Sequence, residues 1–186
     1  MNHNDSNKNA LIDMDDAVLV IIDMQDKLFR AMSEKEILIA NILKLVKFSR
    51  VTKLPIVVTE QQKLGNTLYV IREDLPDMKP ICKLRFNCFG IDEFSETLSK
   101  LKKKSLIIAG IEAHICVTQT ALHALSDYNV HVVSDAVSSR NPNDCEVALR
   151  RLTAAGATVT STEMLLFELI QEAGTDTFKE LLKLVK

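Results

Sequence analysis

Short runs rich in apolar residues alternate with longer amphipathic stretches along most of this chain. The runs cover residues 17–23, 56–59, 80–83, 105–109, 130–134 and 157–160. Each run holds between four and seven residues, which is the length of a strand and too short for a core helix. Consecutive apolar positions are typical of parallel strands that are buried on both faces. We therefore predict six strands.

Apolar residues recur at helical spacing in the stretches between these runs. The predicted helices cover residues 34–52, 67–72, 91–102, 114–125, 143–154, 161–169 and 176–185. Ser33 and Glu36 have the spacing of a capping box at the start of the first long helix. Because strands and helices alternate, the sequence predicts an α/β fold in which helices cover both sides of a parallel sheet.

Residues 105–125 combine a buried strand, a break at Gly110 and a helix that carries Cys116 in its first turn. A helix N-terminus offers partial positive charge and free backbone N–H groups, which favour the thiolate form of a cysteine. This arrangement suits a nucleophile. The alternative is a buried structural cysteine, because cysteine is among the most buried residue types.

Composition narrows the class of protein. A length of 186 residues suits one domain, and we expect residues 1–15 to form a flexible tail before a domain over residues 16–186. The net charge of −2 indicates no preference for nucleic acid or acidic membranes, and no apolar run approaches the roughly 20 residues of a membrane span. Four cysteines without CxxC spacing, and no secretory signal, lead us to expect a cytoplasmic protein.

Reactive side chains follow three of the predicted strands. Asp23 ends the first strand, Lys83 ends the third, and Cys116 comes after the fourth. Active sites of parallel sheets lie beyond the carboxyl ends of the strands, so these side chains can meet there. Singly, Asp23 is typical of a loop cap and Lys83 of a solvated surface charge. Together they would give a thiol a proton acceptor and a counter-charge.

The histidines are weaker candidates for the proton acceptor. His3 lies in the predicted tail, and His131 lies inside the fifth strand. His123 is seven residues beyond Cys116 on the predicted helix, about 10 Å along its axis and too far for direct proton transfer. His114 can line a pocket, but its spacing does not place it against the sulfur.

Four segments resemble the isochorismatase-like cysteine hydrolases. They are VIIDMQ around Asp23, KLRFNCF from Lys83, GIEAHICVTQTA around Cys116, and SDAVSSRNP over residues 134–142. The resemblance covers about residues 17–169. The segments TEQQKLGNT and STEMLLFEL are most similar to the isochorismatase-domain-containing branch of the family.

This resemblance implies a three-layer α/β/α sandwich around a six-stranded, mainly parallel sheet in the order 3-2-1-4-5-6. It also implies that Cys116 is the nucleophile, Asp23 the general base and Lys83 the residue that stabilises both. A non-proline cis peptide is implied between Ile111 and Glu112. The backbone N–H groups of Glu112 and Cys116 would then form an oxyanion hole.

The implied reaction is hydrolysis of a small amide or related C–N bond through a thioester, with no cofactor, and the implied assembly is a homo-oligomer. Nicotinamidases of this family carry an Asp-x-His metal motif after the second strand, and the matching residues 59–62 contain no histidine here. We therefore expect no imidazole-bound metal and disfavour a nicotinamidase. Isochorismatases proper act without a cysteine nucleophile, so Cys116 points away from that activity.

Candidates for the wall of the substrate pocket are Phe29, Gln61, Phe86 and His114, although both phenylalanines also suit the core. Another small carbonyl substrate, such as an ester, remains an alternative to the amide. A non-catalytic binding module is a second alternative. A thiol redox sensor is a third, and it would need a resolving cysteine within disulfide reach of Cys116.

Overall fold

The structure, a computed structural model, describes residues 11–185. Across these residues six strands form one sheet in the order β3-β2-β1-β4-β5-β6, and every neighbouring pair is parallel. The strands are β1 (Ala17–Ile22), β2 (Ile56–Gln61), β3 (Ile81–Lys83), β4 (Ser105–Ile111), β5 (Asn129–Ser138) and β6 (Thr158–Thr160). The predicted fold class and strand order are confirmed.

Helices cover both faces of the sheet. They are α1 (Asp26–Phe29), α2 (Lys35–Thr52), α3 (Tyr69–Asp74), α4 (Asp92–Leu101), α5 (Thr118–Ala124), α6 (Pro142–Ala155), α7 (Thr162–Ile170) and α8 (Asp176–Val185). Helices α2, α7 and α8 contribute to one apolar cluster, and α4, α5 and α6 contribute to the other. No helix within residues 11–185 is long and apolar enough to cross a membrane.

Strand β1 lies at the centre of the sheet and contributes side chains to both apolar clusters. Its side chains alternate, so Ala17, Leu19 and Ile21 join the α2 side. Val18, Val20 and Ile22 join the α4 side. Because both faces are covered, the strand reads as an unbroken apolar run, as parallel strands do.

Gly110 lets β4 pass close to β1. Its φ is +117°, and a Cβ atom there would lie 2.1 Å from the backbone oxygen of Ile22. Only glycine fits this backbone conformation and this gap. The break that the sequence suggests at Gly110 is therefore a close approach within a strand that continues to Ile111.

Strand β5 is longer than the predicted run over residues 130–134. The register to β4 shifts between Ile108 and Gly110, and pairing then continues to Val137 and Ser138. Asp135 stays in the strand because its carboxylate accepts hydrogen bonds from the backbone N–H and hydroxyl of Thr162 at the start of α7. Because such polar residues interrupt the apolar pattern, the pattern alone does not predict this part of the strand.

The predicted capping box at the start of α2 is wrong. Glu34 occupies the cap position with φ of +47° and no side-chain cap hydrogen bond. The hydroxyl of Ser33 instead donates to the backbone oxygen of Ser139 at 2.7 Å. A long-range contact thus takes the hydroxyl that the local motif would use. Helix α6 likewise begins earlier than predicted, because Asn141 caps it.

The predicted flexible tail over residues 1–15 lies mostly outside the described residues. Its last part is not free of the domain. Ile12 is only 2% exposed and packs in the α2-side cluster, and its backbone N–H donates to the Glu168 carboxylate at 2.9 Å. Met14 also packs against this cluster, so apolar contacts and one hydrogen bond attach residues 12–14 to the domain.

Candidate active site

Asp23 follows β1 with a left-handed backbone, φ of +51°, and no exposed side-chain surface. Its backbone N–H donates to the oxygen of Thr59 at 3.1 Å. The Thr59 hydroxyl donates to Asp23 Oδ1 at 2.8 Å. These bonds fix the carboxylate at the carboxyl ends of β1 and β2, and they leave Oδ2 for another partner.

Lys83 ends β3 and supplies that partner. Its Nζ lies 2.6 Å from Asp23 Oδ2, 2.8 Å from Gln61 Oε1 and 3.5 Å from Cys116 Sγ. The side chain is fully buried. The structure thus brings together the side chains of Asp23, Lys83 and Cys116, three residues that are far apart in the sequence.

Lys83 carries a charge although it is buried. Burial lowers its pKa, but the Asp23 carboxylate, with smaller contributions from Cys116 and Cys88, outweighs burial, and the net pKa is raised above its ordinary value. The site therefore holds an ammonium ion next to a carboxylate, which is the arrangement that makes a buried charge tolerable.

Cys116 lies in a π-helical turn, Ala113–Val117, and helix α5 begins only after it. Burial first, and then the neighbouring Asp23 carboxylate, raise the pKa of its thiol to about 12, while Lys83 lowers it. The expectation that a helix N-terminus favours the thiolate is therefore wrong for the free protein. A thiol next to a carboxylate can instead give up its proton as it attacks.

Thr59 contacts Asp23 directly and Gln25 supports the site through the backbone of Gln61, and sequence reasoning missed both. Gln25 is fully buried. Its side-chain amide accepts from the backbone N–H of Gln61 at 2.8 Å and donates to the backbone oxygen of Gln61 at 3.0 Å. The only signal in the sequence is that each polar residue lies at or just beyond the end of a predicted strand.

The peptide bond between Ile111 and Glu112 is cis. Glu112 is buried, and its carboxylate accepts from the backbone N–H of Arg140 at 3.2 Å and from its Nε at 3.0 Å. The backbone oxygen of Glu112 accepts from the N–H groups of Ile115 and Val117. These contacts hold the turn that carries Cys116.

The predicted pocket residues lie in different surroundings. Gln61 contacts Lys83 directly, whereas Phe29 packs against the α2-side core. Phe86 is 51% exposed in the loop after β3. His114 is partly buried, and its Nδ1 lies 2.8 Å from the hydroxyl of Ser139. Of these four residues, only Gln61 hydrogen-bonds to one of Asp23, Lys83 and Cys116.

All four cysteines lie within the described residues and are free. Cys88 is buried near the cluster, and its Sγ lies 4.0 Å from the Thr59 hydroxyl. Cys82 is exposed. Within residues 11–185, no three or more His, Cys, Asp or Glu side chains are grouped so that they could hold a metal ion.

A family model and a known relative both place this chain in one family. The model of the isochorismatase domain matches residues 17–164. The secreted isochorismatase effector Isc1 of Phytophthora sojae is 37% identical over 178 residues, which cover 91% of this chain and 84% of that protein.

Solved structures share the fold along nearly the whole chain. A MAR1 ribonuclease from Caenorhabditis elegans superposes with a TM-score of 0.88 at 34% identity, covering 95% of this chain and 92% of that one. YcaC from Pseudomonas aeruginosa, solved with hexane-2,5-diol and covalent acrylamide, has a TM-score of 0.88 at 26% identity and the same coverage of 95% and 92%. YcaC from Escherichia coli, described as an octameric hydrolase of unknown specificity, has a TM-score of 0.87 at 25% identity and coverage of 93% and 89%.

Proposed function

Because this chain belongs to the isochorismatase family, we propose that it is a cysteine hydrolase of a small amide or related C–N bond. One observation carries the proposal. The buried ammonium of Lys83 contacts both the Asp23 carboxylate, at 2.6 Å, and the Cys116 sulfur, at 3.5 Å. A base and a nucleophile that share one counter-charge are the parts that acyl transfer to sulfur requires.

In the first half of the reaction, the Cys116 sulfur attacks the substrate carbonyl and its proton passes to the Asp23 carboxylate. Lys83 stabilises the negative charge as it develops on sulfur. The carbonyl oxygen becomes an oxyanion, for which the backbone N–H groups of Glu112 and Cys116 are the proposed donors. Because the resting thiol has a pKa of about 12, proton transfer accompanies the attack rather than precedes it.

In the second half, the tetrahedral adduct collapses and the C–N bond breaks. The leaving nitrogen takes the proton from Asp23, and an acyl thioester remains on Cys116. Asp23, again a carboxylate, accepts a proton from water as that water attacks the thioester. The C–S bond of this second adduct breaks, the acid product leaves, and the sulfur takes the proton back from Asp23, so that the site returns to its starting state.

Two further observations support a nucleophilic mechanism and a reaction that needs no metal. The P. aeruginosa neighbour was solved with covalent acrylamide, which alkylates nucleophiles at its C=C bond, so that protein carries a reactive nucleophile. In this chain, residues 59–62 contain no histidine ligand. Esters remain the alternative substrate class, because the same thioester mechanism can cleave their C–O bond.

The remaining proposals concern assembly and location. The octameric state of the E. coli neighbour supports a homo-oligomer, which size-exclusion chromatography with light scattering would test. The free cysteines support a cytoplasmic location, although one relative is a secreted effector. The C. elegans neighbour is described as a ribonuclease, but a net charge of −2 gives this chain no excess of cations for phosphate binding.

The test is a panel of small amides, matched esters and an RNA oligonucleotide. Wild type should hydrolyse members of the amide set and, after acid quenching, should carry an acyl group on the Cys116 peptide. Cys116→Ala and Asp23→Asn should lose at least about a thousandfold in rate, whereas Cys82→Ala, which alters an exposed thiol, should match wild type. An unchanged rate in Cys116→Ala on a confirmed substrate would overturn the proposal.

The same samples test the other two alternatives. A binding module would show neither turnover nor an acyl adduct with any substrate of the panel. A redox sensor would form a disulfide between Cys116 and another cysteine when treated with peroxide, and peptide mass spectrometry detects that bond.

A further inference from the structure

We propose that Gln61 is a positioning residue, whose side-chain oxygen holds the Lys83 ammonium so that another of its N–H groups points at the Cys116 sulfur. The inference rests on the proposed function and adds a residue to it. Gln61 lies at the end of β2, beside the end of β3 that carries Lys83. Its side chain hydrogen-bonds to Lys83 and to the backbone of Leu84, and not to the Asp23 carboxylate or the Cys116 sulfur, so it would act through the lysine.

The Lys83 ammonium has as many donors as it has neighbouring acceptors. An ammonium has three N–H groups and no acceptor. Asp23 Oδ2, Gln61 Oε1 and Cys116 Sγ lie 2.6, 2.8 and 3.5 Å from Lys83 Nζ. Two short bonds to oxygen fix the direction of the third N–H. Without the Gln61 oxygen, the ammonium could rotate about its bond to Asp23 and leave the sulfur.

The Gln61 amide can face Lys83 only with its oxygen. Its Nε2 donates to the backbone oxygen of Leu84 at 2.8 Å. Turning the amide over would place N–H against N–H at the lysine and oxygen against oxygen at Leu84. Gln25 holds the backbone of the same residue at both its N–H and its oxygen. The acceptor is thus fixed from two sides before any substrate binds.

The Gln61 side chain is neutral, which suits a site that already holds one carboxylate. The titratable groups that act on Lys83 are Asp23 after β1, Cys116 in the π-helical turn and Cys88 in the loop after β3. A neutral amide completes the shell of the ammonium without adding another negative charge. A carboxylate at position 61 would draw the ammonium away from the sulfur and would oppose negative charge on it.

The experiment follows alkylation of Cys116 by iodoacetamide between about pH 6 and pH 10, read by peptide mass spectrometry. The variants are Gln61→Met, which keeps the length but removes the acceptor, Gln61→Glu, and Lys83→Met. Gln62→Met changes the exposed neighbouring glutamine and is the matched control. The exposed Cys82 thiol is an internal reference in every sample, and a melting curve records folding.

We expect Gln61→Met to slow Cys116 alkylation about tenfold at pH 8, equivalent to an alkaline shift of about one pH unit. Gln61→Glu should slow it at least as much. Gln62→Met and the Cys82 reference should not change. If the Gln61→Met profile coincides with that of wild type, or if only the melting temperature moves, Gln61 does not position the lysine.

The two proposals fail in different ways. If Lys83→Met leaves the Cys116 profile where it is, the lysine does not act on the sulfur, and the proposed function fails together with the role of Gln61. If Lys83→Met slows alkylation but Gln61→Met does not, the proposed function stands and only the positioning role is overturned.

Discussion

Nζ of Lys83 lies 2.6 Å from Oδ2 of Asp23, and neither side chain has any exposed surface. Removing one member leaves the other as an unpaired buried charge, so Lys83→Met should lower the free energy of unfolding by about 3–5 kcal/mol. The double variant Asp23→Leu with Lys83→Met should lose less than the two single variants added together, because no charge is left buried. Urea denaturation measures each value.

Arg50 and Asp74 provide the control for this experiment. They form an ion pair of 3.0 Å in which the Arg50 side chain is 52% exposed. Arg50→Met should therefore change the free energy of unfolding by less than about 1 kcal/mol. A loss in Lys83→Met no larger than that in Arg50→Met would contradict the account of a buried pair.

Thiol reactivity should separate the cysteines by pH. Because the pKa of Cys116 is raised to about 12, its alkylation should keep rising well above pH 9. The exposed Cys82 thiol should be labelled readily throughout the series, and it serves as the reference for access of the reagent. Cys88, which is buried and whose pKa is also raised by burial, should be labelled only after unfolding. Quantitative peptide mass spectrometry over a pH series checks this order, and a Cys116 profile that levels off below about pH 9 would contradict it.

Stability should fall in alkali. The folded protein keeps a proton on Cys116 that the unfolded chain releases above about pH 8.5, so stability is full below that pH and declines as the pH rises towards the folded pKa of about 12. Lys83 and Cys88 also have raised pKa values, so their contributions have the same sign.

Wild type should therefore lose more stability between pH 7.5 and pH 10 than Cys116→Ala does, with a difference of about 2 kcal/mol. Urea denaturation at the two pH values measures this difference. Equal losses in the two proteins would show that the thiol does not hold its proton in the folded state.

Gly110 should not tolerate a side chain. A Cβ atom there would lie 2.1 Å from the Ile22 oxygen, at φ of +117°, so Gly110→Ala should lose more than about 4 kcal/mol or fail to fold. Gly65→Ala is the control, since Gly65 has φ of +88° but nothing within 4 Å of a Cβ atom. It should lose only about 1–2 kcal/mol. Soluble yield and thermal melting of the two variants decide the matter, and similar behaviour would contradict the close approach.

The fold could be predicted because each strand contains a short run rich in apolar residues, and because parallel strands bring their carboxyl ends to one edge. The same rule brings Asp23, Lys83 and Cys116 together. The pKa of Cys116 could not be predicted in this way. The helix terminus is a local feature of the sequence, whereas burial and the distance to Asp23 depend on packing between segments that are far apart.

Side-chain direction limited the remaining predictions. Gln61 could be recognised as a polar residue near a strand end, but its contact with Lys83 depends on where the amide points. Ser33 had the spacing of a capping residue, yet its hydroxyl bonds to Ser139 across the fold. Ile12 lies among acidic neighbours, and only the packed structure reveals the surface that covers it.

The division of the core by the central strand has a practical meaning for laboratory evolution. Cys116 packs in the cluster shared by α4, α5 and α6, whereas α2, α7 and α8 build the cluster on the opposite face. Substitutions that improve packing beneath α2, α7 and α8 are separated from the sulfur by the thickness of the sheet, so their effects should add to those of changes around it. Stabilising substitutions on the α2 side can thus offset the stability lost to substitutions near Cys116 that are made to change the substrate.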